Sequence, residues 1–156
     1  MTGRAKVASE KQRLDATFGR SATVGHDAEL LSDFARYLCV LVAGFLEQAV
    51  IELLLEHVRK HSRPSVVRHL DGRLRQFTSA NAQRIQDTVG SFDPDWREDL
   101  GKYLIDERKA AVDSIINLRH TISHGRYVGV TLAGVKKYYS HVTDVVDHLA
   151  DLCDPL

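Results

Sequence analysis

The stretch "DAELLSDFARYLCVLVAGFLEQAVIELLLEHVRKH", residues 27–61, decides the fold class. Asp27 is placed to cap a helix, and the pattern runs on to about His61, roughly 50 Å at 1.5 Å per residue. At about 100° per residue, Phe34, Leu41 and Phe45 fall on one side, Val40, Ile51 and Val58 on a second, and Leu46, Val50 and Leu53 on a third. A helix that is apolar all round is a central, buried one. Glu47 and Glu52 lie inside it, and buried carboxylates require partners.

The rest of the chain reads as shorter helices arranged around this one. Residues 1–25 are polar apart from Val7, Leu14 and Phe18, and predict an N-terminal arm or a short helix over about 8–19 ended by Gly19. Pro64 opens a further helical region, as proline does in a first turn. There, "SVVRHLDGRLRQF" and "SANAQRIQDTVGSF" predict two half-exposed helices joined near residues 78–81. The turn "FDPDW" offers Trp96 as a core anchor and starts a helix from about Pro94 to Leu104. Another runs from about Asp106 to His124, with Gly125 as its C-terminal cap. "RYVGV" is a connector, and Thr131 starts a last helix whose stripe is Val135, Tyr138, Tyr139, Val142, Val145, Val146 and Leu149. The expected fold is all-α, an up-and-down bundle of five to seven helices over residues 26–156.

Composition narrows the function classes. A chain of 156 residues fits one domain with a substantial core. Acidic and basic residues balance at 21 each, so net charge alone points to neither nucleic acid nor membrane. Two cysteines make no disulfide framework, and Cys39 sits in an apolar run where a thiol behaves as a small hydrophobe. The opening "MTGRAKVASEKQRLD" has no apolar signal region. The most apolar window, "YLCVLVAGFL", covers about ten residues, against roughly 20 for a membrane span. A cytoplasmic protein with no membrane partner is expected.

Chemistry concentrates at "INLRHTISHGRY", residues 116–127. Spacing carries little here: with 14 arginines and 8 histidines, chance alone yields roughly two matches of arginine, four to six residues, histidine. Three occur, beginning at Arg20, Arg63 and Arg119. Context is more informative. Val112, Ile115, Leu118 and Ile122 make one apolar stripe, and Arg119 falls inside it, where a guanidinium needs a carboxylate partner or a cleft. Glu47 and Glu52 are the candidate partners, which makes a purely architectural arginine the alternative to a functional one. His120 and His124, like His57 and His61, have the four-residue spacing that offers two imidazoles to zinc. Neither pair comes with a third ligand or a metalloprotease glutamate. His61, His69, His141 and His148 read as exposed helix surface. His124, in a last helical turn, suits general acid–base work near neutral pH.

The block "SIINLRHTISHGRYVGV" resembles the arginine–polar–x3–histidine signature of HEPN domains, usually arginine–asparagine followed by alanine–histidine–glycine. "FARYLCVLVAGFLEQAV", "SFDPDW" and "TLAGVKKYYSHV" extend the resemblance to the RiboL-PSP-HEPN branch, from about residue 27 onward. The resemblance implies a helical homodimer acting as a metal-independent endoribonuclease, without cofactor, often in toxin–antitoxin or phage-defence systems where an antitoxin protein is a further partner. By position, Arg119 and His124 match the two signature residues, and His120 replaces the usual asparagine or aspartate. Glu47 and Ser123 stand in support, while Arg126, Tyr127 and Arg108 are candidates for holding RNA, and Lys136 and Lys137 read first as a solvated helix face. Arg119 and His124 are about 140° apart on an ideal helix, so two copies facing one cleft would assemble the site. The alternative is a non-catalytic HEPN dimer that binds RNA, nucleotide or a protein partner. A metal-binding bundle built on the histidine pairs is a third reading.

Overall fold

The computed structural model describes residues 2–155; Met1 and Leu156, the outermost residues of the two expected segments, lie outside that range. Among the described residues there are seven α-helices and no strand. They are α1 (Gly3–Gly19), α2 (Ala28–His61), α3 (Pro64–Leu74), α4 (Ala82–Gly90), α5 (Pro94–Tyr103), α6 (Asp106–Ser123) and α7 (Leu132–Cys153), with a 3-10 turn over Arg20–Thr23. The all-α bundle is thus present with seven helices, the upper end of the expected range.

Local chemistry sets most of the boundaries. The Asp27 carboxylate accepts from the backbone N–H groups of Glu29 and Leu30, both at 3.0 Å. Asn81 accepts from Arg84 N at 2.9 Å, Asp93 from Asp95 N at 2.8 Å and Thr131 from Gly134 N at 3.0 Å. Pro64 and Pro94 occupy first turns, where the missing N–H costs nothing.

α2 is the axis of the bundle, with α1, α3, α6 and α7 laid against it. Every residue from Ala49 to Glu56 is buried, so neighbours cover all its sides. The ten-residue window marked in the sequence understates this helix, which by length and composition could cross a membrane. Its apolarity serves the core instead, since 78% of its most apolar 18-residue window is buried inside the bundle. The stripe of α7 also packs as expected, with Val135, Val142, Val145, Val146 and Leu149 buried. Trp96 is only half-buried, packed edge-on against the His57 ring at 4.8 Å. The thiols of Cys39 and Cys153 are buried and free, pushed up to about 11 and about 12 by that burial, which leaves them inert.

α1 begins at Gly3, five residues before the helix expected over 8–19, and it is closely seated. A side chain at Gly3 would bring its Cβ to 2.7 Å from the Glu52 carbonyl oxygen and 2.8 Å from the Glu56 Cβ. Lys6 reaches across to Glu52 at 2.7 Å, and Phe18 stacks on Tyr139 at 4.6 Å. Burial of Tyr139 together with its hydrogen bond to Asp15 pushes the phenol well up.

Glu52, 2% exposed, also receives Arg75 at 2.8 Å, so one buried carboxylate ties α1 and the end of α3 to α2. Burial pushes its carboxyl up, but the hydrogen bonds from Lys6 and Arg75 outweigh that and hold it below its ordinary 4.5. A carboxyl depressed on folding stabilises the fold above its unfolded value, and that contribution is lost as pH falls. The stability difference between wild type and Glu52→Gln, from urea unfolding, should be full at about pH 6 and shrink steadily below about pH 4.5. A difference that does not change with pH would remove this role.

Candidate active site

α6 presents its apolar stripe to the core, with Val112 and Ile115 fully buried and Leu118 and Ile122 half-buried. Arg119 lies in that stripe, and its side chain is 19% exposed. Its Nη1 donates to Glu47 Oε1 and its Nη2 to Oε2 at 3.2 Å, a two-pronged pairing suited to the planar guanidinium. Glu47 is therefore the partner and Glu52 is not. The two carboxylates are five residues apart and so point about 140° apart around α2. One faces α6, the other α1 and α3.

Glu47 receives more than the arginine. Its Oε2 also accepts from Ser79 N at 2.5 Å and from Thr78 Oγ1 at 3.0 Å. Ser79 holds a φ of 55°, a left-handed conformation costly for a residue with a side chain. The α3–α4 loop is thereby clamped over the same carboxylate that holds Arg119. Only a folded chain reveals this clamp, because one of its donors is a backbone N–H.

The end of α6 is built by Gly125. At a φ of +70° it lets its own N–H reach Ile122 O at 3.0 Å and the Arg126 N–H reach Thr121 O at 3.2 Å, the paired bonds of a Schellman cap. The last helical residue is Ser123, which is exposed, and His124 is the cap residue one position beyond. The His124 N–H still bonds His120 O at 3.1 Å, which keeps the two histidines on one face with ring centres 4.3 Å apart. Both are exposed, and with Thr121 and Arg126 they line a recess of about 170 Å³. Arg119 does not line it. Within one chain the guanidinium turns to Glu47 and the imidazoles turn to solvent.

The other expected residues divide. Arg126 joins the recess, and Tyr127, 81% exposed, stands beside it in sequence with the Arg36 guanidinium 5.1 Å from its ring centre. Arg36, a contributor the sequence did not single out, is itself held by Ser32 and Asp33 on α2. Arg108 is not brought to the site within one chain. It lies eleven residues before Arg119 on the same helix, about 16 Å along the axis. There it stacks on Tyr103 at 4.1 Å, and His148 also stacks on that ring, at 3.7 Å. Lys136 and Lys137 are exposed on α7. Among the described residues no group of three or more His, Cys, Asp or Glu side chains is arranged to hold a metal ion. The His57 and His61 rings lie 4.4 Å apart, with His61 Nδ1 at 2.8 Å from His57 O.

A family model described as RiboL-PSP-HEPN matches residues 6–154, and the chain belongs to that family. The domain type supports a nuclease or otherwise RNA-related role. No curated protein and no solved structure matches the chain.

Removing Glu47 would leave Arg119, Ser79 N and Thr78 without their shared acceptor. Glu47→Ala is expected to lower unfolding stability by about 2–4 kcal/mol, near the range for breaking a buried pair. Combined with Arg119→Ala in a double-mutant cycle by urea denaturation, the losses should be less than additive by about 1–3 kcal/mol. Strict additivity would show that the pair holds nothing together.

Proposed function

We propose that this RiboL-PSP-HEPN chain is a metal-independent endoribonuclease working as a homodimer, in a toxin–antitoxin or phage-defence setting. The observation that carries this reading is the end of α6, which sets His120, His124 and Arg126 around a small open recess one turn from a guanidinium anchored by Glu47. RNA brings its own nucleophile, the 2′-OH. One His124 imidazole takes the 2′-OH proton while the 2′-oxygen bonds to phosphorus. Arg119 and Arg126 bear the charge that develops on the phosphorane, and a protonated imidazole from the second copy gives a proton to the departing 5′-oxygen. The products are a 2′,3′-cyclic phosphate and a 5′-hydroxyl.

The geometry inside one chain favours the two-copy arrangement. Arg119 and His124 diverge, so a single protomer cannot put both on one phosphate, whereas an isologous pairing of two α6 ends can. HEPN domains generally act as dimers and bind RNA. Arg119 keeps three of its five N–H donors after pairing with Glu47, enough to hold a phosphate oxygen. His120, next to Arg119, stands where the family usually carries asparagine or aspartate and supplies a donor or an acceptor at that place.

The pair of hydrogen bonds from Arg119 to Glu47 also favours a second reading. In it Arg119 is architectural, and the domain is a non-catalytic HEPN dimer that binds RNA, nucleotide or a protein partner. One assay separates the two. Single-stranded RNA should be cut in EDTA by the wild type, and His124→Ala should lower the rate by about 10²–10⁴-fold, the usual worth of an acid–base group. Arg119→Lys, which keeps the charge but loses the fork, should also cut poorly while remaining folded. Wild-type cutting by both variants would remove the assigned site, and RNA binding without turnover by the wild type would establish the second reading.

A further inference from the structure

A second basic surface lies away from the end of α6. The stretch "RKHSRPSVVRHLDGRLR", residues 59–75, holds six of the chain's 21 arginines and lysines but only one of its 21 acids, Asp71. Three of these cations serve the fold: Arg59 pairs with Glu56, Lys60 with Asp154, and Arg75 with Glu52 and Asp71. Arg63, Arg68 and Arg73 make no ion pair among the described residues, and neither does Arg84 on α4. All four are exposed.

Arg73 and Arg84 line one cleft of about 600 Å³, together with His69, Phe77, Thr88 and Phe92. It exists because α3 leans on α2 while α4 leans on α5, so the two helices are not packed against each other. Its volume falls within the roughly 300–1,000 Å³ of small-ligand sites. Phe77 and Phe92 are half-buried, rooted in the core at one edge and presented to the cleft at the other, and the Arg84 guanidinium lies 5.9 Å from the Phe77 ring centre. Asp87, the one acid in the lining, is already taken by Arg97 at 2.9 Å and Gln83 at 3.0 Å.

Uncommitted guanidiniums beside aromatic rings are the elements that hold single-stranded nucleic acid, the cations on phosphates and the rings under bases. An acidic peptide would use the arginines but leave the rings idle. We propose that the α3–α4 cleft is a second binding site for single-stranded RNA, with Arg73 and Arg84 on phosphates and a base stacked on Phe77 or Phe92. This rests on the RNA-related reading of the chain proposed above. The two places are connected through the chain, since Phe77 is followed by Thr78 and Ser79, which clamp the carboxylate that holds Arg119.

The test uses a fluorescent single-stranded 2′-O-methyl RNA of about 12 nucleotides, within the span of known single-strand sites. Its blocked 2′-oxygen prevents cleavage, so binding is read by anisotropy whether or not the protein is a nuclease. R73E/R84E should weaken binding at least about tenfold and make the log–log salt dependence shallower by about 1.4, the loss of two phosphate contacts on a single strand. K11E/K102E changes charge by the same amount at two surface lysines away from the cleft, each in an exposed ion pair, and should stay within about twofold of wild type. Unchanged affinity and salt slope in R73E/R84E, equal weakening in both variants, or no binding by the wild type would each overturn the proposal. Loss of binding in R73E/R84E from a wild type that cuts no RNA would support the cleft and remove only the nuclease reading.

Discussion

A carboxylate buried beneath the end of α6 organises this protein. Glu47 is 7% exposed, and in that setting an uncompensated charge would be strongly unfavourable. It is compensated from two directions at once, by the forked guanidinium of Arg119 and by the Thr78–Ser79 loop. Three parts of the chain, about 30 residues apart or more in sequence, are thereby brought to one pair of oxygens. The position of Arg119, and hence of the helix end that carries His120 and His124, follows from that node.

The same device recurs along α2. Glu47, Glu52 and Glu56 are all buried, and each takes its own set of donors. Glu47 serves α6 and the α3–α4 loop, Glu52 serves Lys6 and Arg75, and Glu56 accepts from the Gly3 backbone at 3.2 Å. Apolar burial drives the helices together without specifying direction. Hydrogen-bonded charges are directional, so a central helix that is apolar on every side uses carboxylates to orient what packs around it. Ion pairs of this kind add little net stability over a well-packed apolar core, and their worth lies in arrangement.

The C-terminal end of α6 shows the complementary design. There the helix stops on a glycine, the histidines are left exposed, and the arginine alone is anchored. A rigid cation beside solvent-facing imidazoles suits chemistry on a phosphodiester, because the charge is held in place while the proton-transfer groups stay accessible. On the proposed reading, the divergence of Arg119 from His124 makes one protomer half of such a site. The His120 ring packs on that of His124.

What could be read without the structure was whatever depends on residues close in sequence. Asp27, Pro64, Pro94, Gly125 and Thr131 mark helix ends because capping bonds span three or four positions, and the all-round apolarity of α2 marks its central place. Arg119 stood out for the same reason, as a charge within a local stripe. The start of α1 was hidden, because Gly3 is selected by contact with residues some fifty positions away. Likewise, only the packed bundle chose Glu47 over Glu52 and opened a cleft between α3 and α4 by leaning them on different neighbours. Each of those outcomes depends on which helix faces which, and that is set by long-range packing and ion pairing that no local pattern encodes.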